Sequence, residues 1–162
     1  MTDPLSLALP GPDATDALGA RLAQTRPPRA VVYLEGELGS GKSSLARALL
    51  RALGVTGPVR SPTYTLVERY PVPGGAALHL DLYRIADPGE LAYLALDALA
   101  DEAVLWLIEW PQRGGAGLPP ADLRLRLAVA GEGRRCEADA GSPVGRDWLG
   151  RLARICPDSV IS

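Results

Sequence analysis

The stretch from Ala30 to Leu50, AVVYLEGELGSGKSSLARALL, limits what this chain can fold into more than any other part of it. Six residues, β-branched and almost wholly apolar, read as a strand buried on both faces. A glycine-rich loop follows, and then a pattern that places Leu45, Leu49 and Leu53 on one helical face before stopping at Gly54. Gly36-Glu37-Leu38-Gly39-Ser40-Gly41-Lys42-Ser43 fits G-x-x-x-x-G-K-[ST] between the two. Glycines at such a turn let backbone N–H groups face inward and line an anion nest, and the helix N-terminus adds its partial positive charge. Lys42 is the only lysine in a chain with sixteen arginines. A compact, flexible ammonium can reach over the loop to bridge β- and γ-phosphates, where a broad planar guanidinium does not fit. Ser43 offers a hydroxyl to Mg²⁺. By itself the loop predicts that some phosphate-bearing ligand is cradled here, with Mg²⁺ beside it and Lys42 on the phosphates as a catalytic residue.

The rest of the chain alternates apolar runs with helical patterns, which predicts an α/β domain built on a mostly parallel sheet flanked by helices. PLSLAL (4–9) reads as a short strand, and DATDALGARLAQ as a helix with Asp13 as its N-cap. TYTLVERY and AALHLDLYR read as strands separated by the turn PVPGG. DPGELAYLALDALAD reads as a helix with Pro88 in its first turn, and AVLWLIEW as a further buried strand. PQRGGAGLPP reads as a loop. DLRLRLAVA alternates, with Leu123, Leu125, Leu127 and Val129 opposite Arg124 and Arg126. That pattern predicts a half-exposed, antiparallel strand near the edge. A short strand around RRCEADA and a helix around GRDWLGRLARI complete the domain, which is taken as one unit over residues 1–162.

Composition narrows the functional classes. The net charge of −2 is not that of a domain that holds RNA by itself, so any nucleic acid would be reached through a partner. No apolar run approaches the roughly 20 residues needed to span a bilayer, and the N-terminus lacks a signal-peptide pattern, so a cytoplasmic protein is expected. Cys136 and Cys156 show no metal-ligand spacing and read as reduced bystanders. The sole histidine, His79, cannot build a histidine metal site alone.

A phosphate loop needs an acid on a neighbouring strand to hold the metal's water shell. Taken alone, Glu109 would be a surface acid closing a strand; behind the apolar run VLWLI and beside a phosphate loop, it suits the metal role. Asp81, in HLDLYR, has two readings: it orients the attacking water or the metal's outer shell, or it pairs with Arg84 to close a turn. Ser61, Thr63 and Thr65 in SPTYTLV either sense the γ-phosphate or serve ordinary turn and edge chemistry.

Four stretches, GELGSGKSS, SPTYTLVERY, HLDLYRI and LIEWP, in this order and at these separations, resemble the TsaE (YjeE) family of small bacterial P-loop ATPases. The resemblance covers nearly the whole chain. It implies a P-loop NTPase fold with a mostly parallel sheet and antiparallel edge strands. It also implies a role in making N6-threonylcarbamoyladenosine in tRNAs that read codons starting with A. In that role the protein binds the TsaD–TsaB pair and hydrolyses ATP to reset TsaD, touching tRNA only through the complex. Carried over by residue, the resemblance puts the nucleotide on Gly39, Ser40, Gly41, Lys42, Ser43 and Ser44, and Mg²⁺ on Ser43 and Glu109. Asp81 matches the acid needed for hydrolysis, Trp110 the tryptophan beside the site, and Arg134 a nucleotide contact. Residues around Thr15 border the adenine. Ser43 stands where threonine is commoner in the family. Weak activity alone is expected, since no arginine finger is obvious. Two other readings are a small P-loop kinase, for which the connections between Gly54 and Asp81 leave little room for a lid, and a nucleotide-gated binding module without catalysis.

Overall fold

The computed structural model describes residues 4–60, 62, 66–94 and 96–156. Strands β1 (Leu5–Leu9), β2 (Ala30–Glu35), β3 (Val67–Val72), β4 (Gly75–Asp81), β5 (Ala103–Glu109), β6 (Leu123–Ala130) and β7 (Gly133–Ala140) form one sheet in the order β1-β7-β6-β2-β5-β4-β3. The four central strands β6, β2, β5 and β4 run parallel. β3 on β4 at one side, and β7 on β6 and β1 on β7 at the other, are antiparallel. The expected mostly parallel sheet with antiparallel edges is therefore present.

Three helices, α1 (Pro12–Thr25), α2 (Lys42–Ala52) and α4 (Pro143–Ile155), share one apolar cluster with the sheet. Leu18 and Leu22 of α1, Leu45 and Leu49 of α2, and Trp148 and Leu149 of α4 pack with Val32, Leu34, Leu105, Leu107, Leu123 and Leu125. Alternate residues of the same strands supply a second cluster, in which Leu78, Leu80 and Ile108 pack with Leu82, Ile85, Leu91 and Leu118. Two short elements contribute to that side, a 3₁₀ turn over Pro88–Leu94 and helix α3 (Leu96–Ala100). Gly19 lets α1 close on α2, because a Cβ there would lie 2.5 Å from Cβ of Ala48 and 2.8 Å from backbone atoms.

Several local expectations change. β6 is internal, parallel to β2 and antiparallel to β7, so its alternation reports one uncovered face and not an edge position. Val129 is 62% exposed, off the buried row formed by Leu123, Leu125 and Leu127. Helix α1 starts at Pro12 with Gly11 as N-cap, two residues earlier than the expected Asp13 cap. The helix expected over DPGELAYLALDALAD is divided into the 3₁₀ turn and α3, and β4 ends at Asp81 before LYR. β3 extends through Pro71 and Val72, leaving Pro73 and Gly74 as the turn. The loop after Trp110 contains two single 3₁₀ turns, Pro111–Arg113 and Gly115–Gly117. Cys136 and Cys156 are free and buried. Among the described residues, no helix is long and apolar enough to cross a membrane.

Candidate functional site

The phosphate loop joins β2 to α2 at the C-terminal end of the parallel strands, where open α/β sheets gather their ligands. Gly36, Gly39 and Gly41 have φ of 145°, 78° and 107°, and Gly41 is the N-cap of α2. A Cβ on Gly36 would collide with the carbonyl oxygen of Leu127 and lie 2.6 Å from Oγ of Ser40. The loop is thereby wedged against β6, and its shape depends on a residue with no side chain. Ser40 is buried, and its Oγ has no hydrogen-bond partner among the described residues.

Lys42, only 5% exposed, folds back over the loop. Its Nζ donates to the carbonyl oxygens of Gly36 at 2.5 Å and Glu37 at 2.9 Å, and lies 4.5 Å from the ring centre of Trp110. Burial pushes the pKa of this ammonium below its ordinary value, while Glu109, Asp81 and Glu37 pull the other way. Trp110 holds this position with backbone in the left-handed region, φ 57° and ψ 50°, uncommon for a bulky side chain. Its ring packs 5.0 Å from that of Tyr83, and the Arg113 guanidinium lies 5.8 Å from its centre.

The adjacent parallel strands β4 and β5 pair Asp81 beside Glu109. Both acids are buried at the strand ends, 6% and 2% exposed. Ser43 Oγ donates toward Glu109 and lies 3.0 Å from each of its carboxylate oxygens. Asp81 Oδ1 accepts the backbone N–H of Tyr83 at 3.1 Å, a tight local turn. A cavity of about 350 Å³ is lined by Gly39, Gly41, Lys42, Ser43, Ser44, Asp81, Tyr83, Arg84, Glu109, Trp110 and Arg134, with Leu38 at its rim. The expected phosphate-loop residues, both acids, Trp110 and Arg134 thus converge on one space, except that Ser40 lies beneath the loop. Two hard oxygen ligands, the Ser43 hydroxyl and the Glu109 carboxylate, stand together there, a donor pair that fits Mg²⁺.

Arg134 of β7 reaches across to the loop, donating to the carbonyl oxygen of Gly39 at 3.1 Å. It also borders a second cavity of about 460 Å³, which shares Gly41 and Ser44 with the first. Thr15 and Asp16 of α1 line this second space together with Arg47 and Arg51 of α2 and Glu132. The close approach at Gly19 sets these two helices side by side, which brings Thr15 to the phosphate loop. Ser61, Thr63 and Thr65 lie outside the described residues.

The residue that sequence reasoning missed is His79. Its Nε2 lies 2.6 Å from Oε2 of Glu109, and both side chains are almost fully buried. The available signal was parity: His79 and Asp81, two apart on one strand, face the same side.

The family model described as threonylcarbamoyl adenosine biosynthesis protein TsaE matches residues 9–136. The tRNA threonylcarbamoyladenosine biosynthesis protein TsaE of Haemophilus influenzae is 40% identical over 119 residues, covering 74% of this chain and 75% of its own. The protein of that name from Aquifex aeolicus is 35% identical, covering 75% and 84%, and that from Bacillus subtilis 32%, covering 76% and 77%. The crystal structure of YdiB from Bacillus subtilis superposes with a TM-score of 0.78 at 24% identity, covering 95% of this chain and 97% of that one, and shares the fold. With the phosphate loop, the paired acids and this matched span in agreement, the chain belongs to the TsaE family.

Proposed function

We propose that this chain is a Mg²⁺-dependent ATPase that serves the synthesis of threonylcarbamoyladenosine in tRNA, working as a single unit over residues 1–162 in the cytoplasm. The observation that carries the reading is the convergence of Lys42, Ser43, Asp81 and Glu109 on one cavity at the head of the phosphate loop, in a chain of the TsaE family. The loop amides from Gly39 to Ser44 and the α2 N-terminus cradle the phosphates, and Lys42 leaves its carbonyl partners to neutralise the β- and γ-phosphate oxygens. Ser43 and Glu109 hold Mg²⁺, which when bound withdraws charge from the phosphates. Asp81 orients a water for attack on the γ-phosphorus; the bond to the bridging β-oxygen breaks as the new P–O bond forms, and the water's proton passes toward the carboxylate. The second cavity, with Thr15 at its wall, takes the nucleoside end, and Arg134 stands between the two spaces.

The names of the relatives tie them to tRNA threonylcarbamoyladenosine biosynthesis. With a net charge of −2, this chain is better suited to reach tRNA through proteins than by itself. TsaD and TsaB are the partners proposed, with the hydrolysis state gating docking and resetting TsaD. Measuring ATP turnover with and without the TsaD–TsaB pair tests this reading: stimulation is expected, and no binding with no stimulation would overturn it. Phosphate transfer to an added acceptor instead of water would favour a small kinase, and full function without turnover a binding module.

A further inference from the structure

Two side chains, Ser43 and His79, meet the Glu109 carboxylate. A carboxylate only accepts hydrogen bonds, so the ring nitrogen that faces it at 2.6 Å carries the hydrogen, and His79 Nε2–H donates to Oε2. The other ring nitrogen, Nδ1, is buried with no partner among the described residues. Ser43, by contrast, has one hydroxyl hydrogen to divide between two oxygens that are both 3.0 Å away. Ser43 therefore does not select between Oε1 and Oε2, and His79 does. His79 is fixed in turn by its place in β4, whose register sets it opposite Leu107 of β5, two residues before Glu109.

We propose that His79 is a positioning residue for the cation site: its bond to Oε2 fixes the Glu109 carboxylate and leaves Oε1 as the oxygen open to the cation. The inference rests on the Mg²⁺ role given to Glu109 above and adds the group that orients it. Partners of this kind, one step removed from a metal, change its affinity by about 10- to 100-fold when lost.

The test is calorimetric titration of a non-hydrolysable ATP analogue, in EDTA and across a Mg²⁺ series, on wild type, H79L, H79Q and H79N. In the wild type Mg²⁺ should tighten analogue binding; absence of that effect would overturn the Mg²⁺ role of Glu109 and this proposal with it, whereas an unchanged Mg²⁺ response in H79L would overturn the proposal alone. H79L should bind the analogue normally in EDTA and lose about 10-fold or more in Mg²⁺ affinity. H79Q, whose terminal amide can reach the same oxygen, should keep most of it. Wild-type Mg²⁺ dependence in H79L, or equal losses in H79L and H79Q, would overturn the proposal. Should H79L fail the EDTA control through misfolding, the other pair decides: the shorter amide of H79N cannot reach Glu109, so equal Mg²⁺ affinity in H79N and H79Q would overturn it too.

Discussion

Ser43 and Glu109 lie 66 residues apart in sequence, yet the hydroxyl of one lies 3.0 Å from both carboxylate oxygens of the other. Parallel pairing of β2 with β5 creates this contact, because the strand feeding the phosphate loop and the strand ending in the acid then finish at the same end of the sheet. Ser43→Ala should leave nucleotide affinity in EDTA within a few fold and lower Mg²⁺-dependent turnover by about 100-fold, on the scale of losing one group that stabilises transition-state charge. Paired binding and turnover assays check this. Turnover near wild type would remove Ser43 from the metal site.

Lys42→Arg should abolish nucleotide binding or turnover, although arginine carries every other basic charge in the chain. The ammonium sits in a nearly closed space between two loop carbonyls and the Trp110 ring, and a guanidinium is too broad for it. Near-normal ATPase in this variant would contradict the argument.

The same lysine gives a pH dependence. Burial lowers its folded pKa below 10.5, so on raising the pH the ammonium is lost in the folded protein earlier than from a free side chain. Nucleotide affinity should accordingly begin to fall below pH 10.5. In the absence of nucleotide the sign for stability is opposite. Between the lowered folded pKa and 10.5 the unfolded chain binds more protons than the folded one, so stability from this group rises with pH. Nucleotide titrations across the alkaline range, set against urea unfolding of the nucleotide-free protein, separate the two effects.

Cys136 pulls the other way. Burial raises its thiol from 9.0 to about 12. Well below pH 9 neither state ionises. Between about 9 and 12 the unfolded chain loses a proton that the folded one keeps, so stability falls with pH by up to about 1.4 kcal/mol per unit. Cys156 and Tyr33, also raised by burial, add in the same direction. Urea unfolding at several alkaline pH values should show a shallower decline in Cys136→Ala than in the wild type; parallel declines would refute the assignment.

Gly36→Ala should cost about 2 kcal/mol of stability from backbone strain, and should weaken nucleotide binding at the same time. Its φ of 145° and its contact with the carbonyl of Leu127 leave no place for a methyl group. Thermal unfolding and nucleotide titration on one preparation check both; an unchanged melting temperature would show that the loop is not wedged against β6.

The phosphate loop was legible because its residues act locally: the buried strand, the glycines, Lys42 and the helix are contiguous. Glu109 and Asp81 were legible as acids ending apolar strands. The neighbours of β6 were not, because alternation reports which face is covered and not the direction of the adjacent strand. Its outer face carries Arg124 and Arg126, which bond Glu35 of parallel β2, and this half-polar pattern mimics an antiparallel edge. The break in the helix after Pro88 was hidden by an apolar pattern that suits 3₁₀ and α geometry alike. His79 was passed over because a single histidine has no ligand spacing, and its partner lies on another strand.

The most direct test of the central claim is Asp81→Ala, assayed for ATP affinity and for turnover in the presence of TsaD and TsaB. Affinity should stay within a few fold of wild type while turnover is lost, because Asp81 is assigned to the water and not to the phosphates. Turnover equal to wild type would contradict the account.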